Sequence, residues 1–245
     1  MSWALWVGLV LYVVGLVTVF GLRSVLQYRA TGDSGHRRPH HRPGSVGWWA
    51  AVLLAGAVGV GAVGPLLALT GAVGVPAVLA VPALAGGGLV LMVCGFAGVL
   101  AGQQAMGLSW RVGVDDTERT ALVSAGLFRH VRNPIFTAMV VAYIGLLATV
   151  PTWVTALGLV CLIAGVELQV RQVEEPYLIR VHGAAYRRYA AGVGRFLPAL
   201  AGFDCVRRDR ARPCDHGRAR RGERPRSEQG APVRPERLAD QQGQD

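Results

Sequence analysis

Between Arg42 and Arg111 the chain carries no charged side chain, and between Arg132 and Glu167 it carries none again. A third uncharged run precedes Arg23. As helices, such runs are long enough to cross a hydrocarbon core about 30 Å thick. A bilayer supplies no water to pair with backbone N–H and C=O groups, so a spanning segment must satisfy them internally, as a helix does. The chain therefore reads as an all-α polytopic membrane protein with about five transmembrane helices. The first is Met1–Leu22. It lacks the basic n-region and the small-residue cleavage site of a signal peptide, which favours a retained anchor. The run after Arg42 holds two spans, about Val46–Leu69 and Val75–Gly102, with a turn signalled by "TGAVG" and Pro76. The third span is expected to contain Pro82 and Gly86-Gly87-Gly88, and Gly98 and Gly102 form a small-xxx-small pair. Residues 134–150 and 152–170 read as a helical hairpin closed by "VPTW".

The formal net charge is +10, and all 25 basic residues are Arg. In a soluble domain this balance would point to nucleic acid. Here the placement of the charges decides otherwise, and no nucleic-acid partner is expected. The loop 23–47 holds Arg23, Arg29, Arg37, Arg38 and Arg42, and the region 103–133 holds Arg111, Arg119, Arg129 and Arg132. The remaining arginines lie beyond residue 170, and the two intervening turns hold none. The positive-inside rule then puts the charged loops in the cytoplasm and the N-terminus outside. From about residue 199 the composition turns to Arg, Pro, Gln and Asp, which reads as a disordered basic cytoplasmic tail.

Three other motifs carry little. "HRRPHHRP", with His36, His40 and His41, is interrupted by Pro and Arg and reads as a solvated loop. Cys94 and Cys161 fall inside spans, and Cys205 and Cys214 fall in the tail, so neither a disulfide framework nor a metal site is expected. "GVGAVG" at 59–64 has the glycine spacing of a dinucleotide loop but lies inside a span, without the strand and the acidic residue that motif needs.

Two polar clusters flank the hairpin. Arg129, His130 and Arg132 lead into Asn133-Pro134. Beside an anionic leaflet such cations can serve topology alone. At the far end Glu167 comes before the polar region begins, where an ionisable group is costly and a functional candidate by default. Glu167 and Arg171 are four apart, and Arg171 lies three and four residues from Glu174 and Glu175, so these side chains neighbour one another on a helix. Pro176 is expected to end or kink that helix and to open the next. An interfacial helix should follow, with Leu178, Val181, Ala185 and Tyr189 on its apolar face. A hairpin returns its ends to one side, so cations and anions should meet at the cytoplasmic membrane edge. That suits a zwitterionic cofactor meeting a lipid-borne substrate.

"WRVGVDDTERTALVSAGLFRHVRNPIFTAM", an apolar hairpin, and "VRQVEEPYLIRVHGAAYRRYAAGVGRFLP" together resemble the isoprenylcysteine carboxyl methyltransferase family and its phospholipid methyltransferase relatives, over about Ser109–Pro198. The resemblance implies S-adenosylmethionine as cofactor. Gly126, Phe128, Arg132, Asn133, Pro134 and Phe136 would form one wall of its site, and Glu174 and Glu175 the other. Asn133 stands where the family pattern has His; it keeps hydrogen bonding but not an acid–base role. Glu167 and Arg171 are the candidate catalytic pair. The implied organisation is three transmembrane helices over 1–102 with the basic loop, a cofactor-binding region over 103–198, and the tail over 199–245. The acceptor is expected to be a prenylcysteine-like carboxylate or a phospholipid amine. Two other readings stand beside this one. A sterol-reductase-like enzyme with a nicotinamide cofactor is disfavoured by the Glu pair; a non-catalytic protein keeping the fold is the other.

Overall fold

The first apolar helix does not stop at the first charge. In the structure, a computed structural model that describes residues 2–32, 42–107 and 122–198, α1 (Ser2–Leu16) runs through a π-helical turn (Val17–Leu22) into α2 (Arg23–Thr31). Arg23 is accommodated because its long side chain reaches the carbonyl of Gly107 at 3.1 Å. The π-turn also has a use: its Val19 carbonyl accepts from the amide of Gln103, which is buried, at 2.9 Å. The basic loop's His36, His40 and His41, the segment 108–121 and the tail lie outside the described residues.

α3 is Val46–Leu69, as the charge-free run implies. α4 is Pro82–Met106, so the third span begins seven residues later than expected. Pro82 does not sit inside it but opens it. A proline in the first turn forfeits no intrahelical bond, and its fixed φ suits a helix start. Residues before it form only a short 3-10 turn, Ala77–Leu79.

α5 (Pro134–Thr149) and α6 (Trp153–Leu168) form the hairpin. Its charge-free turn is held by hydroxyls. Thr152 and Thr155 make a reciprocal capping box, and Thr155 Oγ1 donates to the Val150 carbonyl at 2.5 Å. α6 continues through a second π-helical stretch (Gln169–Glu174) into α7 (Glu175–His182). Pro176 therefore stands in the first turn of α7, as expected, but the helical run does not end there. Its ring removes one N–H and crowds the carbonyl four residues back, and the wider π winding just ahead absorbs both. The stretch expected as one interfacial helix is two, α7 and α8 (Ala184–Gly192), separated at Gly183, whose φ of +53° ends α7. Of the expected face, Leu178, Val181 and Tyr189 are half-buried and Ala185 is exposed, while Tyr177 and Tyr186 are the buried residues of these two helices.

Four helical segments, Trp3–Arg29, Val46–Leu69, Pro82–Met106 and Trp153–His182, are long and apolar enough to cross a membrane. α5, with 16 residues, is the shorter fifth, about 24 Å at the rise of an α-helix. All described residues belong to one unit, Met1–Ala201.

Glycines set how closely α4 meets α5. Gly88, Gly95 and Gly102 recur every seven residues, which keeps them on one face. A Cβ at Gly95 would lie 2.4 Å from the Ala142 backbone nitrogen, and one at Gly88 would lie 2.6 Å from the Gly145 carbonyl oxygen. The seam is thus a heptad of glycines; the Gly98–Gly102 pair marks only its end. Lipid tails are as apolar as the helices, so close packing of this kind drives their association. The core beside it centres on Tyr12, Met92, Tyr143, Leu146 and Leu162. The Tyr12 and Tyr143 hydroxyls each donate to an α3 carbonyl, of Val58 and Ala57, at 3.0 Å. Both phenols are thereby satisfied within an apolar interior.

Candidate active site

At the opening of α5 the two polar clusters meet. Arg132 Nη1 lies 3.1 Å from Glu175 Oε1. A third residue completes the group: Arg195 donates from Nε to Glu175 Oε1 at 2.7 Å and from Nη2 to Oε2 at 2.8 Å. This bidentate fork is the strong form of an Arg–carboxylate pair. It raises the Arg195 pKa, with Glu167 close enough to add to the same effect. Arg132 and Glu175 are largely buried, with side-chain exposures of 13% and 14%. Arg132 Nε is buried and lacks a hydrogen-bond partner.

Backbone pairing holds the arrangement. Val131 and Gly194 form an isolated bridge, the Arg132 N–H donates to the Gly194 carbonyl at 2.9 Å, and the Asn133 N–H donates to the Arg195 carbonyl at 3.1 Å. Asn133 immediately precedes Pro134, where asparagine often caps a helix. Its side chain makes no cap here; Nδ2 donates instead to the same Arg195 carbonyl at 3.1 Å. Thr137 Oγ1 adds a bond to the Phe196 carbonyl at 2.9 Å. Residues 194–196 therefore lie as a strap against the first turn of α5.

The remaining candidates fall around this centre. Gly126 opens a short 3-10 turn, Gly126–Arg129, and its φ of +59° is a conformation that glycine adopts without strain. Phe128 is buried in that turn, and its carbonyl accepts from the Tyr189 hydroxyl at 2.6 Å. Pro134 is the first residue of α5, and Phe136 packs half-buried against the core. Glu174 meets the Gln169 amide at 3.4 Å. Glu167 and Arg171 pair with each other on a more exposed stretch of the helix. Burial raises the Tyr189 phenol to about 12 and raises the Tyr186 phenol as well. Replacing Tyr189 by Phe should leave the Phe128 carbonyl without that donor and cost about 1 kcal/mol of stability, read by thermal unfolding in detergent.

Sequence reading brought out Arg132, Glu174 and Glu175 but missed Arg195 and Tyr189 as members of the group. Arg195 stood only within the stretch ending "GVGRFLP" that carries the resemblance, and its distance along the chain hid its partner. Among the described residues no cluster of three or more His, Cys, Asp or Glu is arranged to hold a metal ion.

Fold and site together define an all-α integral membrane protein with a partly buried charged centre at one end of a helical hairpin. Residues 84–185 match the phospholipid methyltransferase family model (PEMT), a family that includes isoprenylcysteine carboxyl methyltransferases. The resemblance read from the sequence is borne out at that level, and the match supports a membrane methyltransferase. Comparisons with curated proteins and with solved structures each return no match.

Proposed function

We propose that the chain is an S-adenosylmethionine-dependent methyltransferase acting on a lipid-borne acceptor, with its site at the cytoplasmic membrane edge. The observation that carries this reading is the cluster of Arg132, Glu175 and Arg195 at the α5 N-terminus. Two guanidiniums against one carboxylate leave a net positive centre, and the buried Arg132 Nε has a donor to spare. The first turn of a helix carries N–H groups without intrahelical partners and a favourable dipole for an anion. Arg132 and that turn would hold the cofactor's carboxylate. Gly126, Phe128, Asn133, Pro134 and Phe136 would complete the same wall, and Glu174 and Glu175 the opposite one, with Glu174 facing the amino and ribose groups.

The cofactor, when bound, supplies a methyl group activated on a sulfonium. The protein's work is then alignment and exclusion of water. A carboxylate acceptor, already ionised, needs no base. An amine acceptor must lose a proton. Among the described residues Glu174 is the carboxylate without an arginine partner, so it is the group to take that proton. Glu167 and Arg171, paired on the approach to Glu174, would orient the acceptor.

The orientation rests on charge. Arg23, Arg29, Arg42, Arg129 and Arg132 lie at one set of helix ends, and the turns around residues 70–81 and 150–152 carry none. By the positive-inside rule that charged side is cytoplasmic, together with the site and the tail. On this reading residues 1–102 anchor the chain and 103–198 bind the cofactor.

Titration of the purified protein with S-adenosylmethionine and, separately, with NADPH tests the proposal. Saturable binding of the first and not the second is expected. Binding of NADPH alone would favour the reductase reading instead.

A further inference from the structure

The strap formed by residues 194–196 is fastened by more than backbone pairing, and its fastening involves the charged centre itself. Glu175 has two carboxylate oxygens, and both are taken by Arg195, at 2.7 and 2.8 Å. Arg132 reaches the same Oε1 at 3.1 Å. The carboxylate thus joins three parts of the chain: the opening of α5, the start of α7, and the segment after α8. Arg195, Tyr186 and Tyr189 lie beyond residues 84–185, the part that matches the family.

We infer that Arg195 is a positioning residue: by gripping both oxygens of Glu175 it latches the 194–196 strap across the opening of α5 and keeps Arg132 available to an anionic ligand group. The inference rests on the proposed cofactor site. Its logic is charge and valence. With Arg195 in place, Glu175 is shared, the cluster is net positive, and Arg132 keeps its Nε donor free. Without Arg195, Glu175 would turn its whole carboxylate onto Arg132, neutralising it and occupying its fork. The strap would lose its side-chain fastening at the same time. With Arg195 in place, Glu175 acts through the two arginines, and Glu174 is the carboxylate left to face a ligand. The Asn133 amide fits this division, since its bond to the Arg195 carbonyl serves the strap and not a proton transfer.

Two readouts on the full chain in detergent test the inference, with S-adenosylmethionine as the probe. Hydrogen exchange reports the latch directly, because the Arg132 and Asn133 amides donate to the strap's carbonyls. Arg195→Gln should speed exchange of those amides about tenfold or more, while Arg188→Gln, on the exposed side of α8, should not. Affinity for S-adenosylmethionine should fall about tenfold to a hundredfold, the range for losing a charge-assisted hydrogen bond. Arg195→Lys keeps the charge without the fork and should fall between wild type and Arg195→Gln. In a Glu175→Gln background the Arg195 substitution should cost little more, since partners in one network are not additive. Unchanged exchange in Arg195→Gln, unchanged affinity despite faster exchange, or fully additive losses would each overturn the inference. A wild-type chain that binds no S-adenosylmethionine overturns the proposed function and the positioning role with it, while exchange still decides whether the latch exists.

Discussion

Gly95→Leu should prevent the helix bundle from assembling. The position faces the α5 backbone, where even a methyl group would sit 2.4 Å from the Ala142 nitrogen and 2.6 Å from its Cα. Backbone cannot swing aside as a side-chain tip can, so α4 and α5 would have to separate. Separation would break the Gly88–Gly145 contact on one side and the Gly102–Ile135 contact on the other, since all lie along one seam. Overpacking of a tight interior costs about 1–3 kcal/mol for added methylenes, and a leucine against backbone belongs at or beyond the upper end. Gly87 provides the control. Nothing lies within 4 Å of a Cβ there, so Gly87→Ala should be neutral or stabilising, by at most about 1 kcal/mol of helix propensity. Thermal unfolding and size-exclusion profiles in detergent check both. Equal behaviour of Gly95→Leu and Gly87→Leu would remove the seam from the account.

Arg132→Ala should weaken S-adenosylmethionine binding by about 1.5–3 kcal/mol, the range for a hydrogen bond to a charged group. The loss should not extend to Arg188→Ala, although both residues are arginines on the same side of the helices. Arg132 is largely buried against Glu175, whereas Arg188 is exposed. If the cations served topology alone, the two substitutions would act alike. Glu174→Gln should also impair binding or turnover, with insertion of the helices unchanged. Calorimetric titration beside a topology reporter separates the effects.

The parts of this molecule that were legible beforehand are those governed by charge exclusion and local spacing. The starts of α3 and α5 follow from where charges stop and where Asn133-Pro134 stands. The clusters that hold Arg132 and Glu175 could be brought together across the hairpin because a short turn between two helices must return them to one side. Where the reading failed, a longer-range bond outweighed a local rule. The first helix passes Arg23 because a carbonyl eighty-four residues away receives its guanidinium. The helix passes Pro176 because π winding absorbs the missing bond. Arg195 itself could not be assigned to Glu175 by spacing, because Gly183 breaks the intervening helix and turns the chain back.

Transfer of a labelled methyl group tests the central claim most directly. Purified protein would be incubated with S-adenosylmethionine labelled in its methyl group and a total lipid extract in mixed micelles, and the organic phase counted and resolved. The account predicts label in a lipid-borne product, strongly reduced in Arg132→Ala and retained in Arg188→Ala. Tight binding of S-adenosylmethionine with no label in any lipid or prenylated acceptor would contradict it, as would label that persists undiminished in Arg132→Ala.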